Sequence, residues 1–542
     1  MSSRLACLVI LGWLAAGLTG SIEAAPSPDG EPGPPEFVNR PAGISSRQYH
    51  ALVTGTKKVA VILVDFDGNL GSGTSGAAAT DNGKMFDADI QNLDKWFGTG
   101  TANFPDFFDE ASYGQIDIDI TFAVKGGTRS SLSGVKSTHC FTVPESMAYY
   151  GQDTGQSLAD LVLHALSTAT AQGVKIDTGT YQYVMVAHAG NGNESTSFPV
   201  NYAGDIWSVS VGWSSQYNGF TTGVIIPVRE NGLLEPLGVM CHEFGHQLGL
   251  PDIYATDTRA EVVGPYALMD SGVWNDNGQK PCHFCSWSKA FLGWVAPVSV
   301  SGVAEGIALK SYYNNKTGSV YKFAVPGTGG EEYFLLSYRK DGGYDSASLN
   351  SSRSIEWGAV ILHIDDTIGD ILKNDVNAST QEHPRIDIVE EGVWDIARTF
   401  MTPHSDGYNG SLSGITVYGM ALSGQDMFFS ASAANFSDIL EFAGRPVNFP
   451  NPVTGQSTTI SFNLTKPEQE IALRIYTPAG ELVRSINSEE INAVYATDNR
   501  MVYQATWDLK NNSGESVASG IYVYHIEAGK LGHTGRLSVI KP

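Results

Sequence analysis

The chain has 542 residues, and its 33 Lys and Arg against 57 Asp and Glu give a formal net charge of −24. This length predicts several domains. The acidic balance argues against a nucleic-acid or anionic-membrane surface, because both need clustered basic residues. Charged residues make up only 17%, whereas aromatic residues reach 10% and glycines number 60. This composition excludes disorder and predicts a soluble, loop-rich and β-rich globular protein.

The first 24 residues have the pattern of a secretory signal peptide. Arg4 precedes an apolar run over residues 5–18, and small residues lead to a cleavage site after Ala24. The run is shorter than the roughly 20 apolar residues that a membrane-spanning helix needs. We therefore expect a secreted or cell-surface protein with no integral membrane segment after cleavage. Residues 25–55 are Pro-rich and read as a linker or a short pro-segment.

The segment 56–299 alternates strand and helix patterns. Residues 59–64 and 183–187 are continuous apolar runs, which predict two buried strands. Between them, residues 157–171 place apolar side chains at helical spacing, and Gly173 follows as a stop signal. An α/β or α+β layer is the expected result.

The pattern changes to short strands over residues 300–435, where 333–336 and 359–364 are the clearest. Residues 446–542 carry alternating apolar segments separated by turn signals such as 511–514. Regular short strands over about a hundred residues predict a β-sandwich. The fold class expected for the whole chain is α+β with a β-rich second half, followed by an all-β sandwich.

The chemistry concentrates on a predicted amphipathic helix with apolar residues at 237, 241, 244 and 248. His242 and His246 are four residues apart, so that both imidazoles project from one face and can bind one metal ion. Glu243 adjoins the first of them, where its carboxylate can reach a water at the metal without ligating it. A solvated helix with two idle histidines is the alternative.

The residues that follow predict a third ligand. Gly249 permits the left-handed turn that ends a helix, and Pro251 prevents its continuation. The chain can then fold back and bring Asp252 to the ion. Three protein ligands with an open fourth position indicate a catalytic zinc site. Asp257 and Glu261 are alternative third ligands, although nothing in the sequence fixes their reach.

Four cysteines remain after removal of the signal peptide, namely Cys140, Cys241, Cys282 and Cys285. A zinc knuckle would need a second pair near the Cys282-x-x-Cys285 motif, and a redox motif would need a thioredoxin-like βαβ context. We therefore expect a structural disulfide, for example from one of these two cysteines to Cys241.

Acidic residues in the second half leave a calcium site open. Asp365, Asp366, Asp387, Glu390 and Glu391 could supply carboxylate oxygens to Ca²⁺. Solvated loop carboxylates are the alternative, and the sequence does not decide between the two.

The zinc helix and several further segments together resemble the immune inhibitor A family of secreted zinc peptidases. The similar segments lie between residues 55 and 433: KKVAVILVDF at 57–66, ASYGQ at 111–115, DIWS at 205–208, WSKAFLGWV at 287–295 and VILHID at 360–365. The resemblance implies a metzincin-like endopeptidase acting on proteins or peptides. It also implies zinc on His242, His246 and Asp252, with Glu243 as general base.

Two details bear on that resemblance. Met269 lies in a predicted tight turn, and in metzincin-type peptidases such a methionine lies beneath the metal. Family members often carry an Asp-rich calcium loop before the second strand, which residues 175–182 lack.

The last 97 residues (446–542) resemble the FlgD-like immunoglobulin-type modules that end many secreted bacterial proteins. The resemblance rests on FPNP at 449–452, IYTPAG at 475–480, Trp507-Asp508 and ASGIY at 518–522. It implies an immunoglobulin-like sandwich and contact with export machinery or attachment to the cell surface; some such modules are type IX sorting signals.

Three functions fit these residues. A secreted zinc endopeptidase is the leading hypothesis. A catalytically inactive surface adhesin or binding protein on a peptidase-like scaffold is the alternative from another class, and a zinc hydrolase acting on something other than protein fits the same ligands.

Overall fold

A computed structural model gives the arrangement of the chain as two compact units. Unit 1 comprises residues 1–282 and 370–376, and unit 2 comprises residues 283–369 and 377–542. The structure describes these residues: 22–24, 52–66, 70–71, 74, 83–99, 102–195, 204–230, 235–346, 358–389, 406–409, 413–433, 440–465, 468, 470–496 and 500–541. The predicted signal peptide and Pro-rich segment fall almost wholly outside them. The predicted domain boundaries remain predictions.

Unit 1 is organised around one eight-stranded mixed sheet with the strand order β1-β7-β8-β6-β2-β3-β4, in which β5 also pairs with β2. Its strands are β1 (Ile22–Ala24), β2 (Gly55–Asp65), β3 (Ile116–Val124), β4 (Gly127–Arg129), β5 (Phe141–Thr142), β6 (Tyr183–Asn191), β7 (Val209–Tyr217) and β8 (Phe220–Arg229).

The two strands expected to be buried are neighbours at the centre of this sheet. Strand β2 pairs in parallel with β3 and β6, and β6 pairs in parallel with β8. Residues 59–64 of β2 are fully buried, as a continuous apolar run predicts for a strand covered on both faces. The mixed strand and helix pattern confirms the α+β expectation in its broad form.

Five α-helices accompany the sheet among the described residues: α1 (Asp87–Asp94), α2 (Phe104–Ser112), α3 (Met147–Tyr150), α4 (Gly155–Ala171) and α5 (Leu237–Gln247). Helix α4 is the helix predicted between the two buried strands. Thr154 caps its start by accepting a hydrogen bond from the Ser157 amide at 3.1 Å, which satisfies a backbone donor that the first turn leaves open. Gly173 follows its end with φ +82°.

Helix α5 is buried on nearly its whole circumference. The ring of Phe244 packs edge-on against Phe104 and Phe108 of α2, with centroids 5.2 Å away in each case, and against Tyr183 of β6 at 5.0 Å. At its end, Gln247 donates to the Ser210 hydroxyl at 2.7 Å. Aromatic packing and this polar contact fix the helix against the sheet, so that its side chains have a defined direction.

Buried and half-buried carboxyl groups gather where the parallel strands β6 and β8 end. Asp153 accepts hydrogen bonds from the Asn193 side-chain amide at 2.8 Å and from the Trp207 backbone amide at 3.3 Å. Burial, reinforced by the nearby Glu194 and Asp205 carboxylates, raises the pKa of Asp153 to about 7. Burial also raises the pKa of Glu194. The cluster therefore favours proton uptake by these groups.

Unit 2 begins with a helix and two sheets. The helix is α6 (Ser286–Phe291). The five-stranded sheet has the order β14-β13-β12-β11-β9 and the three-stranded sheet the order β10-β16-β15. Their strands are β9 (Val298–Ser299), β10 (Gly302–Leu309), β11 (Val320–Ala324), β12 (Glu332–Arg339), β13 (Gly358–Asp365), β14 (Ile386–Ile388), β15 (Thr416–Ser423) and β16 (Asp426–Ala433).

The predicted strands at 333–336 and 359–364 are therefore β12 and β13, which pair in antiparallel register from Glu332 opposite Asp365 to Arg339 opposite Gly358. Buried side chains from both sheets form one apolar cluster, which includes Phe334, Ile361 and Phe429. The β-rich second half thus has its own core.

The end of the chain forms two four-stranded antiparallel sheets of order β17-β18-β22-β21 and β20-β19-β23-β24. Alternate side chains of both sheets form a second core around Trp507. The strands are β17 (Val447–Phe449), β18 (Thr458–Leu464), β19 (Ile471–Tyr476), β20 (Leu482–Asn487), β21 (Ile491–Ala496), β22 (Arg500–Trp507), β23 (Gly520–Ala528) and β24 (Leu531–Val539). Among the described residues, no helix is long and apolar enough to cross a membrane.

The carboxyl cluster predicts a stability that falls as pH rises. The folded pKa of Asp153, about 7, lies above the value of about 3.9 for an unfolded chain, so ionisation costs folding free energy from about pH 4 upward. We expect Asp153→Asn to stabilise unit 1 at pH 8, by at most about 4 kcal/mol, and not at pH 4. Urea unfolding at pH 4, 6 and 8 measures this.

Asp119→Asn is the matched control, because Asp119 is exposed on β3 of the same unit. It should leave the difference between pH 4 and pH 8 unchanged. The same pH profile for Asp153→Asn and the wild type would contradict the assignment.

Candidate metal centre

Helix α5 carries the two histidines on one face, as their spacing predicts. Their rings are 4.9 Å apart between centroids, and the two Nε2 atoms are 3.2 Å apart. His242 is fully buried and His246 is 4% exposed. The aromatic packing of α5 therefore places both Nε2 atoms at one point inside the protein.

Backbone carbonyls hold the other nitrogen of each ring. His242 Nδ1 lies 2.9 Å from the Leu268 carbonyl oxygen, and His246 Nδ1 lies 2.9 Å from that of Leu250. A carbonyl oxygen can only accept a hydrogen bond, so Nδ1 carries the proton in the neutral ring and Nε2 keeps its lone pair. Carbonyl contacts of this kind orient the histidine ligands of metal ions in proteins.

The turn after α5 brings Asp252 to the same point. Gly249 has φ +105°, a conformation that glycine adopts without the Cβ clash of other residues. Its amide donates to the His246 carbonyl at 2.9 Å, and the Leu250 amide donates to Gly245 at 3.2 Å. Asp252 Oδ1 then lies 3.0 Å from His242 Nε2 and 3.4 Å from His246 Nε2.

These three atoms fit a divalent cation. Two imidazole lone pairs and a carboxylate oxygen face one another inside the protein, and such a convergence of electron pairs is stable only around a positive charge. Burial lowers the pKa of His242. Burial alone would raise the pKa of Asp252, but positive charge on the facing imidazoles when they are protonated outweighs it and holds that pKa below its usual range. Neutral imidazole and ionised carboxylate are the forms that bind zinc.

Among the described residues, His242, His246 and Asp252 are the one group of three His, Cys, Asp or Glu side chains close enough to hold an ion. The alternative third ligands, Asp257 and Glu261, are exposed and do not join it. Glu243 is fully buried on α5 beside His242. Its role as general base remains a prediction.

Asp270 holds the turn that contains the Leu268 carbonyl, a role that the sequence alone does not predict. Asp270 Oδ2 accepts hydrogen bonds from the amides of Val262, Val263 and Gly264 at 3.0, 2.8 and 3.0 Å, and Oδ1 accepts one from Ser271 at 2.7 Å. Asp270 is fully buried. A single carboxylate therefore ties together the loop that orients His242.

Met269, in the same turn, is fully buried. Its carbonyl accepts the Ile253 amide at 2.8 Å, directly after Asp252. This contact joins the Met turn to the segment that carries the third candidate ligand. The place of the Met269 side chain beneath a metal remains a prediction.

The expected disulfide does not form among the described residues, because all four cysteines are buried thiols. Cys140 lies against the Met85 sulfur at 3.6 Å, and Cys285 lies 3.4 Å from the Ser288 hydroxyl. Burial raises the pKa of the Cys241 thiol, which disfavours the reactive thiolate. Cysteine in this protein therefore packs as a small apolar side chain.

Two of the acidic residues considered for calcium face protein donors. Asp365 Oδ1 accepts from the Thr367 amide at 2.8 Å and hydroxyl at 2.6 Å. Asp366 accepts from the Tyr333 hydroxyl at 3.0 Å and from Arg385 at 3.1 Å. Glu390 and Glu391 lie outside the described residues. Calcium binding at these residues remains untested.

Comparison with known families places the metal centre within a recognised domain. Residues 177–295 match the family model of the immune inhibitor A peptidase M6 catalytic domain, and residues 451–532 match the FlgD Ig-like domain. The resemblance to these two families is thereby confirmed. The chain carries an M6 peptidase catalytic domain that includes α5 and Asp252, followed by a FlgD Ig-like domain.

Two curated relatives match part of the chain. The pre-pro-metalloprotease PrtV of Vibrio cholerae is 29% identical over 172 residues, which cover 28% of this chain and 18% of PrtV. Immune inhibitor A of Bacillus thuringiensis is 27% identical over 284 residues, which cover 42% of this chain and 38% of that protein. The chain thus matches well under half of the length of either relative.

Among solved structures, PorZ, a bacterial surface component of the type-IX secretion system of Porphyromonas gingivalis, aligns at 13% identity. The alignment covers 41% of this chain and 23% of PorZ with a TM-score of 0.17, which is too low for an argument about fold or function.

The four hydrogen bonds at Asp270 predict a large stability effect. We expect Asp270→Ala to lower the free energy of unfolding of unit 1 by about 3 kcal/mol or more, because each buried donor left without an acceptor costs about 1–3 kcal/mol. Urea unfolding followed by tryptophan fluorescence measures the change.

Asp117→Ala, which removes an exposed carboxylate from β3, should change stability by less than about 0.5 kcal/mol. Equal effects of the two substitutions would show that the Asp270 contacts do not hold the loop.

Proposed function

We propose that this chain is a secreted zinc-dependent endopeptidase that hydrolyses protein or peptide substrates. The observation that carries the proposal is the convergence of His242 Nε2, His246 Nε2 and Asp252 Oδ1 within a segment that matches the M6 catalytic domain. Two nitrogens and one carboxylate oxygen, with a further position open, are the ligand set of catalytic zinc sites. Sites made of oxygen ligands alone would favour harder metals such as Mg²⁺ or Ca²⁺, whereas imidazole ligands suit zinc.

Zinc, when bound, supplies a Lewis acid that polarises the scissile carbonyl and lowers the pKa of water from 15.7 towards about 7. The side chains of the protein hold the ion and transfer the proton. His242, His246 and Asp252 hold their donor atoms in fixed directions, because both rings are anchored through Nδ1 to backbone carbonyls. A site whose ligands are already oriented pays little reorganisation cost during the reaction.

Glu243 acts as the general base in this proposal. It follows His242 on α5, and its full burial keeps competing solvent away from the carboxylate. It takes the proton of the attacking water as the oxygen bonds to the scissile carbon, and then delivers that proton to the leaving amine. Proton transfers of this kind contribute about 10² to 10⁴ in rate.

An extracytoplasmic location is part of the proposal. The signal-peptide pattern of residues 1–24 supports export, and the FlgD Ig-like match at residues 451–532 supports contact with export machinery or attachment to the cell surface. Calcium remains a candidate second ion, without a described site.

The Glu243→Gln variant tests the mechanism. The amide cannot accept a proton, so casein hydrolysis should fall by about 10²- to 10⁴-fold, while elemental analysis should still find one zinc per chain, because Glu243 is not a ligand. Glu305→Gln, an exposed carboxylate on β10, is the control and should keep full activity.

Full activity of zinc-loaded Glu243→Gln would overturn the proposed role of Glu243. A wild-type chain that binds zinc and shows the same absence of casein hydrolysis with and without a chelator would instead support the inactive adhesin.

A further inference from the structure

The segment 370–376 belongs to unit 1, although the chain on both sides of it belongs to unit 2. Its shape is fixed by its own hydrogen bonds. Asp370 Oδ1 accepts the Leu372 amide at 2.9 Å, and the Asp370 carbonyl accepts the Lys373 amide at 2.9 Å. The Asp375 carboxylate accepts the Asp370 amide. These contacts make a compact turn, which presents one side chain to the metal centre.

That side chain is Asn374, which is fully buried. Its Oδ1 accepts the Asp252 backbone amide at 2.6 Å, and its Nδ2 donates to Asp252 Oδ2 at 2.7 Å. The side-chain amide of Asn374 therefore hydrogen-bonds to both the backbone and the carboxylate of Asp252. The two residues are 122 positions apart in the sequence.

This double contact gives the two carboxylate oxygens of Asp252 different partners. Asn374 engages Oδ2, while Oδ1 remains directed at His242 Nε2 and His246 Nε2, at 3.0 and 3.4 Å. Rotation of the carboxylate would break the hydrogen bond to Nδ2, and movement of the backbone would break the one to Oδ1 of Asn374. The two hydrogen bonds with Asn374 thus leave only Oδ1 of Asp252 directed at the metal site.

We infer that Asn374 is a positioning residue, which fixes Asp252 as a one-oxygen ligand of the metal and thereby sets metal affinity. The inference rests on the proposed zinc centre and adds a residue to it. Outer contacts of this kind typically account for 10- to 100-fold in metal affinity or activity.

The position also explains why the residue is asparagine. Asn374 has φ +56° and ψ +36°, a left-handed conformation that asparagine tolerates better than most residues. Its side chain offers a donor and an acceptor together, as the Asp252 backbone amide and carboxylate require. An aspartate here could not donate unless protonated, and its charge would repel Asp252.

The test compares zinc binding by three full-length proteins: wild type, Asn374→Gly and Asn377→Ala. Glycine removes the amide and suits the left-handed backbone, so that the turn itself keeps its conformation. Asn377 is the matched control, since its buried amide likewise makes two hydrogen bonds, both to Ile386, at 2.9 and 3.0 Å.

We expect Asn374→Gly to weaken zinc binding by about 10- to 100-fold in competition with a chromophoric chelator, and Asn377→Ala to leave it unchanged. The visible spectrum of the Co²⁺-substituted protein should change in Asn374→Gly alone, because that spectrum reports ligand geometry and a purely structural role would not alter it. Far-UV circular dichroism of the metal-free proteins checks folding. If Asn374→Gly does not fold, Asn374→Ser, whose side chain is too short to reach both groups, takes its place.

Wild-type zinc affinity and an unchanged Co²⁺ spectrum in the folded variant would overturn the role of Asn374 and leave the zinc centre intact. Equal weakening in Asn377→Ala would also overturn it, by showing a general effect of losing a buried amide. A wild-type chain that binds no zinc would instead overturn the proposed function.

Discussion

The structure of the candidate site depends on the mutual approach of three buried electron-pair donors. Two imidazole nitrogens and a carboxylate oxygen lie within 3.4 Å of one another, an arrangement that is unfavourable without a positive charge between them. Many nearby contacts bring these atoms together. Phe244 packs α5 onto α2 and β6, and the carbonyls of Leu268 and Leu250 orient the two rings.

The loops around the site determine how the ligand side chains are oriented. Asp270 gathers four backbone amides into the turn behind His242. Gly249 turns the chain so that the Leu250 carbonyl and Asp252 both reach the site. The helix thus supplies the two histidines, and hydrogen-bonded turns supply the carbonyl groups that orient them. Precise placement of ligands depends on such outer contacts as much as on the ligands themselves.

The parts of the site that the sequence predicted are local. The spacing of His242 and His246 follows from the period of the helix, and Gly249 and Asp252 follow His246 within six residues. The central strands β2 and β6 were likewise readable as continuous apolar runs. Patterns of this kind depend on neighbours in sequence, so that one segment is enough to show them.

The parts that escaped prediction are contacts between distant segments. Nothing near Asn374 signals a partner 122 residues away, and no sequence pattern distinguishes Asp270 from other turn residues. The expected disulfide was wrong for a related reason, since cysteine spacing says little about which thiols meet in space. The raised pKa of Asp153 and of Glu194 has the same origin, because it depends on where strands β6 and β8 end.

The late position of residues 370–376 in the sequence has a consequence for the order in which the site is synthesised. The helix and turn that contain His242, His246 and Asp252 leave the ribosome long before Asn374 does. With chain growth of about 5–20 residues per second, those ligands wait several seconds or more for the contact that orients Asp252. The nascent segment that matches the M6 domain therefore lacks part of its candidate metal centre until residue 374, in the β-rich second half, has also been synthesised.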